Sequence, residues 1–280
     1  MKKIAVSIPT SLGEIINIKA HLEDVKHEYS EIRLNFKKSL WNSCLHTEAK
    51  DWPQKKVLWD KYLNDIGQLF FSEPPYVLDQ REFTFYDCGD FIRIHRLTHR
   101  KAEMAHLLCK GTSLNIGDYI VITTKARQLD KKAFFGPSIR MWDVLRKLST
   151  KYKIVVLGER EVEMRKEYDV YENQIFGIYD QIIANLPAER IVDLTVPALG
   201  ETVSDLKQIQ QDCLIMNEAK FTVTLGVGGN FCMATSVSKM AIGFRTDNLA
   251  MTNRIFNRDY PNAIITKDWA YFIRTLEKYL

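Results

Sequence analysis

Apolar residues along this chain recur in two rhythms, a short continuous run and a three-to-four-residue stripe, and the two take turns. The run Ile4 to Ile8 ends at Pro9-Thr10-Ser11-Leu12-Gly13, after which Ile15, Ile18, Leu22 and Val25 fall on one helical stripe. A second run, Ile32 to Phe36, follows Tyr29-Ser30. The opening therefore reads strand, helix, strand, with the crossover length that parallel strands need. From about Leu40 to Lys110 the pattern loosens into an aromatic-rich helix near Lys55 to Phe71, a Pro74-Pro75 break and a mixed stretch from Phe83 to Ile94. A helix is predicted from about Thr98 to Cys109.

Gly111-Thr-Ser-Leu-Asn-Ile-Gly117 joins two glycines to small polar residues and is the best linker. Beyond it the alternation is regular. Strand Tyr119 to Thr124 leads through a basic loop to a helix carrying Ile139, Trp142, Leu145 and Leu148, and then to strand Ile154 to Leu157. A helix near Gln174 to Leu186, strand Ile191 to Val196, a helix with Leu206, Ile209, Cys213 and Met216, and strand Phe221 to Leu225 come next. A glycine-led helix from Gly229, strands near Ala241 to Phe244 and Ala263 to Thr266, and a helix with Trp269, Phe272, Ile273, Leu276 and Leu280 close the chain.

Strands separated by helices throughout predict an α/β protein of two Rossmann-like, doubly wound, mostly parallel domains facing a cleft. The expected divisions are 1–112 for the first domain, 113–266 for the second, and 267–280 for a terminal helix packing back toward the cleft. A length of 280 residues agrees with two domains. The cleft, outside the carboxyl ends of the strands, is the expected site.

Composition narrows the class but not the function. With 46% hydrophobic and 26% charged residues the chain is an ordinary globular protein, neither disordered nor fibrous. The net charge of +4 is too mild to identify a nucleic-acid or membrane partner, yet it suits an acidic acceptor. Cys44, Cys88, Cys109, Cys213 and Cys232 are odd in number and widely spaced, which fits core thiols in a reducing compartment. The amino terminus lacks the apolar length of a signal peptide. The longest uncharged run, Phe221 to Ser238, holds too many glycines and hydroxyls for a bilayer span. The expectation is a cytoplasmic protein, at most peripheral to a membrane.

Three turns carry candidate chemistry. Ser11-Leu12-Gly13-Glu14 lies where the first strand hands over to the first helix: Gly13 admits close backbone approach, and the Glu14 carboxylate can take a proton from a hydroxyl. An acid in a first helical turn is also favoured by the helix dipole whatever the function. The loop Thr123-Thr124-Lys125-Ala126-Arg127-Gln128-Leu129-Asp130-Lys131-Lys132 sets four cations and two hydroxyls at a strand's carboxyl edge, suited to a diphosphate or simply solvated. Gly226-Val227-Gly228-Gly229-Asn230 exposes backbone N–H groups at a helix start and makes an anion nest, or else allows close helix–strand packing. It matches neither dinucleotide nor P-loop signatures. Arg93, Arg96, Arg100 and Lys101 offer a contact for an anionic acceptor, or a solvated helix face. The histidines among them, His95 and His99, lack the acid of a zinc motif, so no metal site is expected.

These pieces together resemble the GT-B glycosyltransferases, and most closely the heptosyltransferase-like family that uses nucleotide-diphosphate sugars. Ile4 to Ile16 looks like that family's first strand and small-Gly-Asp turn, with Glu14 in the place of the proposed catalytic base. Thr123 to Gly136, the Trp142 helix and Ile154 to Gly158 look like the start of its second domain. Asp193-Leu194-Thr195, the helix after Ser204, and Gly226 to Ser236 look like its late donor-binding segment. Where the family reads Asp-Ser/Thr-Gly-x-x-His, this chain has Val227-Gly228-Gly229-Asn230-Phe231-Cys232.

The resemblance implies sugar transfer from a nucleotide-diphosphate sugar to an acceptor hydroxyl, with no other cofactor. Glu14 would be the base. Ser11, Gly13, Thr124, Lys125, Arg127, Lys132, Gly228, Gly229 and Asn230 would hold the donor, and Arg93, Arg96 and Arg100 an anionic acceptor. That acceptor is a surface glycan or a hydroxymethylated base in DNA. The alternatives are a non-catalytic nucleotide- or glycan-binding protein on the same scaffold, and a sugar-nucleotide epimerase.

Overall fold

A computed structural model describes residues 2–8, 15, 16, 18, 19, 22, 25–36, 61, 64, 65, 68, 69, 83–87, 90, 91, 104–124, 139–158, 178–196, 206–226, 229–244 and 262–280. Two sheets, each with only parallel pairings, organise them.

The first sheet has β1 (Lys2–Ile8) in the centre, flanked by β2 (Tyr29–Phe36) and β3 (Thr84–Asp87). Ile15, Ile18, Leu22 and Val25, the amphipathic stripe read in the sequence, lie helical and buried between β1 and β2 in the chain, and Ile16 is buried beside them. They pack in one core with Ile4 and Val6 of β1. The strand β3 settles part of the mixed stretch from Phe83 onward, pairing Ile4 with Thr84 and Ser7 with Asp87.

The second sheet has six strands: β4 (Tyr119–Thr124), β5 (Lys153–Leu157), β6 (Ile191–Asp193), β7 (Thr222–Leu225), β8 (Ala241–Phe244) and β9 (Ala263–Thr266). Their order is β6-β5-β4-β7-β8-β9, so the chain winds outward from β4 to β6, returns to the middle, and winds outward the other way. This is the doubly wound arrangement, with its switch of direction between β4 and β7. Burial on both faces explains the continuous apolar runs Ile154-Val-Val-Leu157 and Tyr119-Ile-Val-Ile122.

Six α-helices are bounded within the described residues: α1 (Ala105–Leu108), α2 (Ile139–Lys151), α3 (Ile178–Asn185), α4 (Leu206–Glu218), α5 (Gly229–Val237) and α6 (Trp269–Glu277). Along β4 the side chains alternate. Ile120 and Ile122 share a core with Leu145 and Leu148 of α2, Ile182 of α3 and Phe272 of α6, whereas Val121 shares one with Cys213 and Met216 of α4 and Phe231 of α5. Each fully buried side chain of this size contributes about 1.5–3 kcal/mol, so the alternation alone fixes the register strongly.

The structure differs from expectation at several ends. The strand predicted to reach Val196 is regular over Ile191–Asp193, and its pairing with β5 runs on as Leu194 N donates to Val156 O at 3.0 Å and Val196 N to Gly158 O at 2.9 Å, while Asp193 Oδ1 accepts from Thr195 N at 3.1 Å and from Thr195 Oγ1 at 2.6 Å. The helix expected from Thr98 is described only as Ala105–Leu108, and the one near Gln174 only as Ile178–Asn185; their earlier residues lie outside the described set. The terminal helix α6 packs against α2 and β8: Trp269 stacks on Phe244 at 3.8 Å, and Arg140 on α2 forms a bidentate pair with Glu277. Asp268 caps it by accepting from Ala270 N at 2.7 Å and Tyr271 N at 3.2 Å, a cap of about 1 kcal/mol. Of the cysteines, Cys213 and Cys232 are buried thiols, while Cys109 is half-buried; Cys44 and Cys88 lie outside the described residues.

Candidate functional site

In doubly wound sheets the crevice for ligands opens at the carboxyl ends of the strands where the winding reverses. Here that place lies between β4 and β7, whose ends are paired Thr123 to Thr224 and Thr124 to Leu225. Four threonines thus stand on these two strands, with Thr222, Thr224 and Thr123 all buried. Thr222 Oγ1 bonds Ser238 Oγ at 2.8 Å, but Thr224 Oγ1 has no hydrogen-bond partner among the described residues. A buried hydroxyl without a partner costs about 1–3 kcal/mol, an expense that recurs where function or an ordered water requires it.

Gly226 ends β7 at the mouth of this crevice. Its φ of +93° favours glycine, and its N–H donates to Phe244 O at 2.9 Å, the last rung of the β7–β8 pairing. Gly229 is the first residue of α5. Gly229 is exposed. At Asn230, Oδ1 accepts from Phe231 N at 2.9 Å, while the buried Nδ2 has no partner among the described residues. The start of a helix offers several unsatisfied N–H groups and the positive end of its dipole, which suit an anion such as a diphosphate.

Close packing sets where that helix start lies. A Cβ on Gly243 of β8 would sit 2.7 Å from Phe231 Cε2 and 3.1 Å from Thr224 Oγ1, so the bare glycine lets the α5 ring lie on the sheet. At the other end of α5, Asn262 Nδ2 donates to Thr235 O at 3.1 Å and Ser238 O at 2.8 Å, tying down the last carbonyls. On the far side of β4, Gly158 follows β5 in contact with Tyr179, whose hydroxyl donates to Leu157 O at 2.8 Å.

Of the candidate donor residues, Thr124, Gly229 and Asn230 are described, on the β4 end and on the helix that follows its neighbour β7. Ser11, Gly13, Glu14, Lys125, Arg127, Lys132, Gly228, Arg93, Arg96 and Arg100 lie outside the described residues. Sequence reading missed Thr224 and the Gly243–Phe231 contact. The Thr-Val-Thr alternation of β7 was the available signal for the first, and a contact between distant positions left none for the second.

One carboxyl group on α4 stands out. Asp212 on α4 is pushed up to about 7 by burial, against the opposing donation from Gln208 Nε2 to its Oδ1 at 2.7 Å. Among the described residues no three His, Cys, Asp or Glu side chains converge to hold a metal ion, and no helix is long and apolar enough to cross a membrane.

No protein-family model matches the sequence, and no curated protein matches it significantly. Solved structures do match in shape. E. coli heptosyltransferase WaaC with ADP superposes with a TM-score of 0.51 at 9% identity, covering 99% of this chain and 100% of that one. The dodecameric iron-containing heptosyltransferase TibC in complex with ADP-D-beta-D-heptose gives 0.51 at 10% identity, covering 95% of this chain and 62% of that one. The fold is GT-B, of the heptosyltransferase type. E. coli ADP-heptose lps heptosyltransferase II aligns over 100% of this chain and 97% of its own, with 15% identity and a TM-score of 0.48. Likeness at these identities is likeness of fold.

Proposed function

We propose that this protein is a glycosyltransferase that moves a sugar from a nucleotide-diphosphate sugar to an acceptor hydroxyl. The observation that carries the reading is the crevice at the β4–β7 switch point. There the N-terminus of α5 follows β7, and the strand β4 paired with β7 leads in sequence into four cations, in a fold shared with heptosyltransferases.

In this reading the donor diphosphate lies against Gly228, Gly229 and Asn230, with Thr124 hydrogen-bonding it, Lys125, Arg127 and Lys132 neutralising it, and Ser11 and Gly13 closing on it from the first domain. The Glu14 carboxylate takes the acceptor hydroxyl's proton as that oxygen bonds to the anomeric carbon. The bond from that carbon to the diphosphate breaks, and the nucleoside diphosphate leaves with the electron pair. Helix N–H dipoles and fixed cations stabilise the charge developing on the leaving group, commonly the largest catalytic term. The reaction needs no resident metal or further cofactor. Arg93, Arg96 and Arg100 meet an anionic acceptor, a surface glycan or a modified base in DNA, and the enzyme works in the cytoplasm.

A second reading, a binding protein without turnover, is favoured by one observation: Val227 and Cys232 stand where the family motif carries its Asp and His. Incubating the protein with a panel of nucleotide sugars, with and without glycan or DNA acceptors, decides between them. Acceptor-dependent release of a nucleoside diphosphate supports transfer, and release without any acceptor points to hydrolysis. Interconversion of the nucleotide sugar without acceptor identifies an epimerase, and tight nucleotide binding with no turnover identifies the binding protein.

A further inference from the structure

Buried side chains from both sheets fall in one continuous apolar core. Ile4 and Val6 of β1 and the helical Ile18 belong to it, and so do Val121 of β4, Met216 of α4 and Phe231 of α5. The two faces of the second sheet therefore differ. The face under α2, α3 and α6 has a core to itself, whereas the face under α4 and α5 shares one with the first sheet.

The chain between the sheets adds to the shared core instead of passing around it. Met104, just ahead of α1, and Leu108, its last residue, are both buried there. Polar bonds hold the same stretch on α4 and α5: Met104 N donates to Ser236 O at 3.4 Å, and Gln210 Nε2 donates to Leu107 O at 3.2 Å. The Gln211 amide accepts from Thr112 N and donates to Thr112 O, each at 2.8 Å. Gly111, at a φ of +148°, permits that approach, since a Cβ there would run into the Gln211 amide. Parting the sheets would return the shared side chains to water, whereas domains that move independently meet across a smaller and more polar interface.

We propose that the two sheets unfold as one cooperative unit, coupled through this shared core, so that a change in stability made in either sheet is felt equally in the other. By the same linkage, a ligand held at the second sheet protects β1, the strand that leads to Glu14, as much as it protects β4. The coupling concerns stability alone and stands whether or not the protein transfers sugars.

Native-state amide hydrogen exchange on the intact chain in low urea tests it. In the native protein the slowest amides of β1 and of β4 are expected to show protection within about threefold of each other, with the same urea dependence. Ile154→Val removes one methylene from the core that belongs to the second sheet alone, and it should speed the slowest amides of both strands by one common factor, about two- to tenfold. Ile18→Val should do the same from the first sheet's side. Faster exchange in β4 with β1 unchanged by Ile154→Val overturns the proposal, and so does faster exchange in β1 alone by Ile18→Val. Should a variant fail to fold or shift neither strand, the native protein decides: equal protection and urea dependence support one unit, and unequal values refute it.

Discussion

Gly243 on β8 lies under the ring of Phe231 on α5, so close that a methyl group there would stand 2.7 Å from Phe231 Cε2. Both Phe231 and its neighbours in the sheet are fully buried, and neither can retreat. Gly243→Ala is therefore expected to cost about 1–3 kcal/mol by overpacking, read as a lower urea midpoint. Because the same contact seats the α5 start, the variant should also bind nucleoside diphosphate more weakly by titration calorimetry.

Thr224 offers the opposite outcome. Its buried hydroxyl has no partner among the described residues, so Thr224→Val removes a desolvated polar atom and keeps the shape. The expected gain is about 1 kcal/mol, visible as a higher melting temperature. A loss of stability would show that the hydroxyl is bonded in solution, for instance to an ordered water.

Asp212 makes stability depend on pH. Its folded value is raised to about 7 from an ordinary 3.8 by burial, so the folded state holds the proton more tightly than the unfolded chain. Stability from this group is fully present below about pH 4, falls as pH rises through about 7, and levels off above. At about 1.4 kcal/mol per pH unit the loss is on the order of 4 kcal/mol at most. Asp212→Asn should flatten that slope and leave the variant more stable than the native protein at pH 8, measured by denaturant titration across pH 4–8.

Glu14 carries the catalytic proposal. Glu14→Gln should lower the transfer rate by about 10²–10⁴-fold while leaving donor affinity unchanged, measured by nucleotide release alongside calorimetry. Turnover that survives the change would remove Glu14 from the role of base.

The buried parallel strands were legible in the sequence almost residue by residue, as at Ala241–Phe244, because burial on both faces writes itself as an unbroken apolar run. The strand β3 was not, since Thr84-Phe-Tyr-Asp87 is short and half polar and gains its place only by pairing with β1. At the candidate site the glycine-led start of α5 could be read, because a helix start is a local event. The Phe231–Gly243 contact and the lone Thr224 hydroxyl could not, because each depends on which strands become neighbours. The Gly111 glycine was legible as a turn former, yet its reason lies in Gln211, a residue remote in the chain.

The reversal of winding between β4 and β7 also orders events in time. These two strands are neighbours in the sheet but are separated in the chain by α2, β5, α3, β6 and α4. While the protein is being synthesised, β4, β5 and β6 emerge with one edge of β4 unpaired. The crevice does not exist until β7 docks on that edge and α5 follows. Such distant pairing forms slowly. On the proposed function, nucleotide is then a ligand for the finished sheet alone, and nascent chains that end before Thr222 should be unable to compete for it.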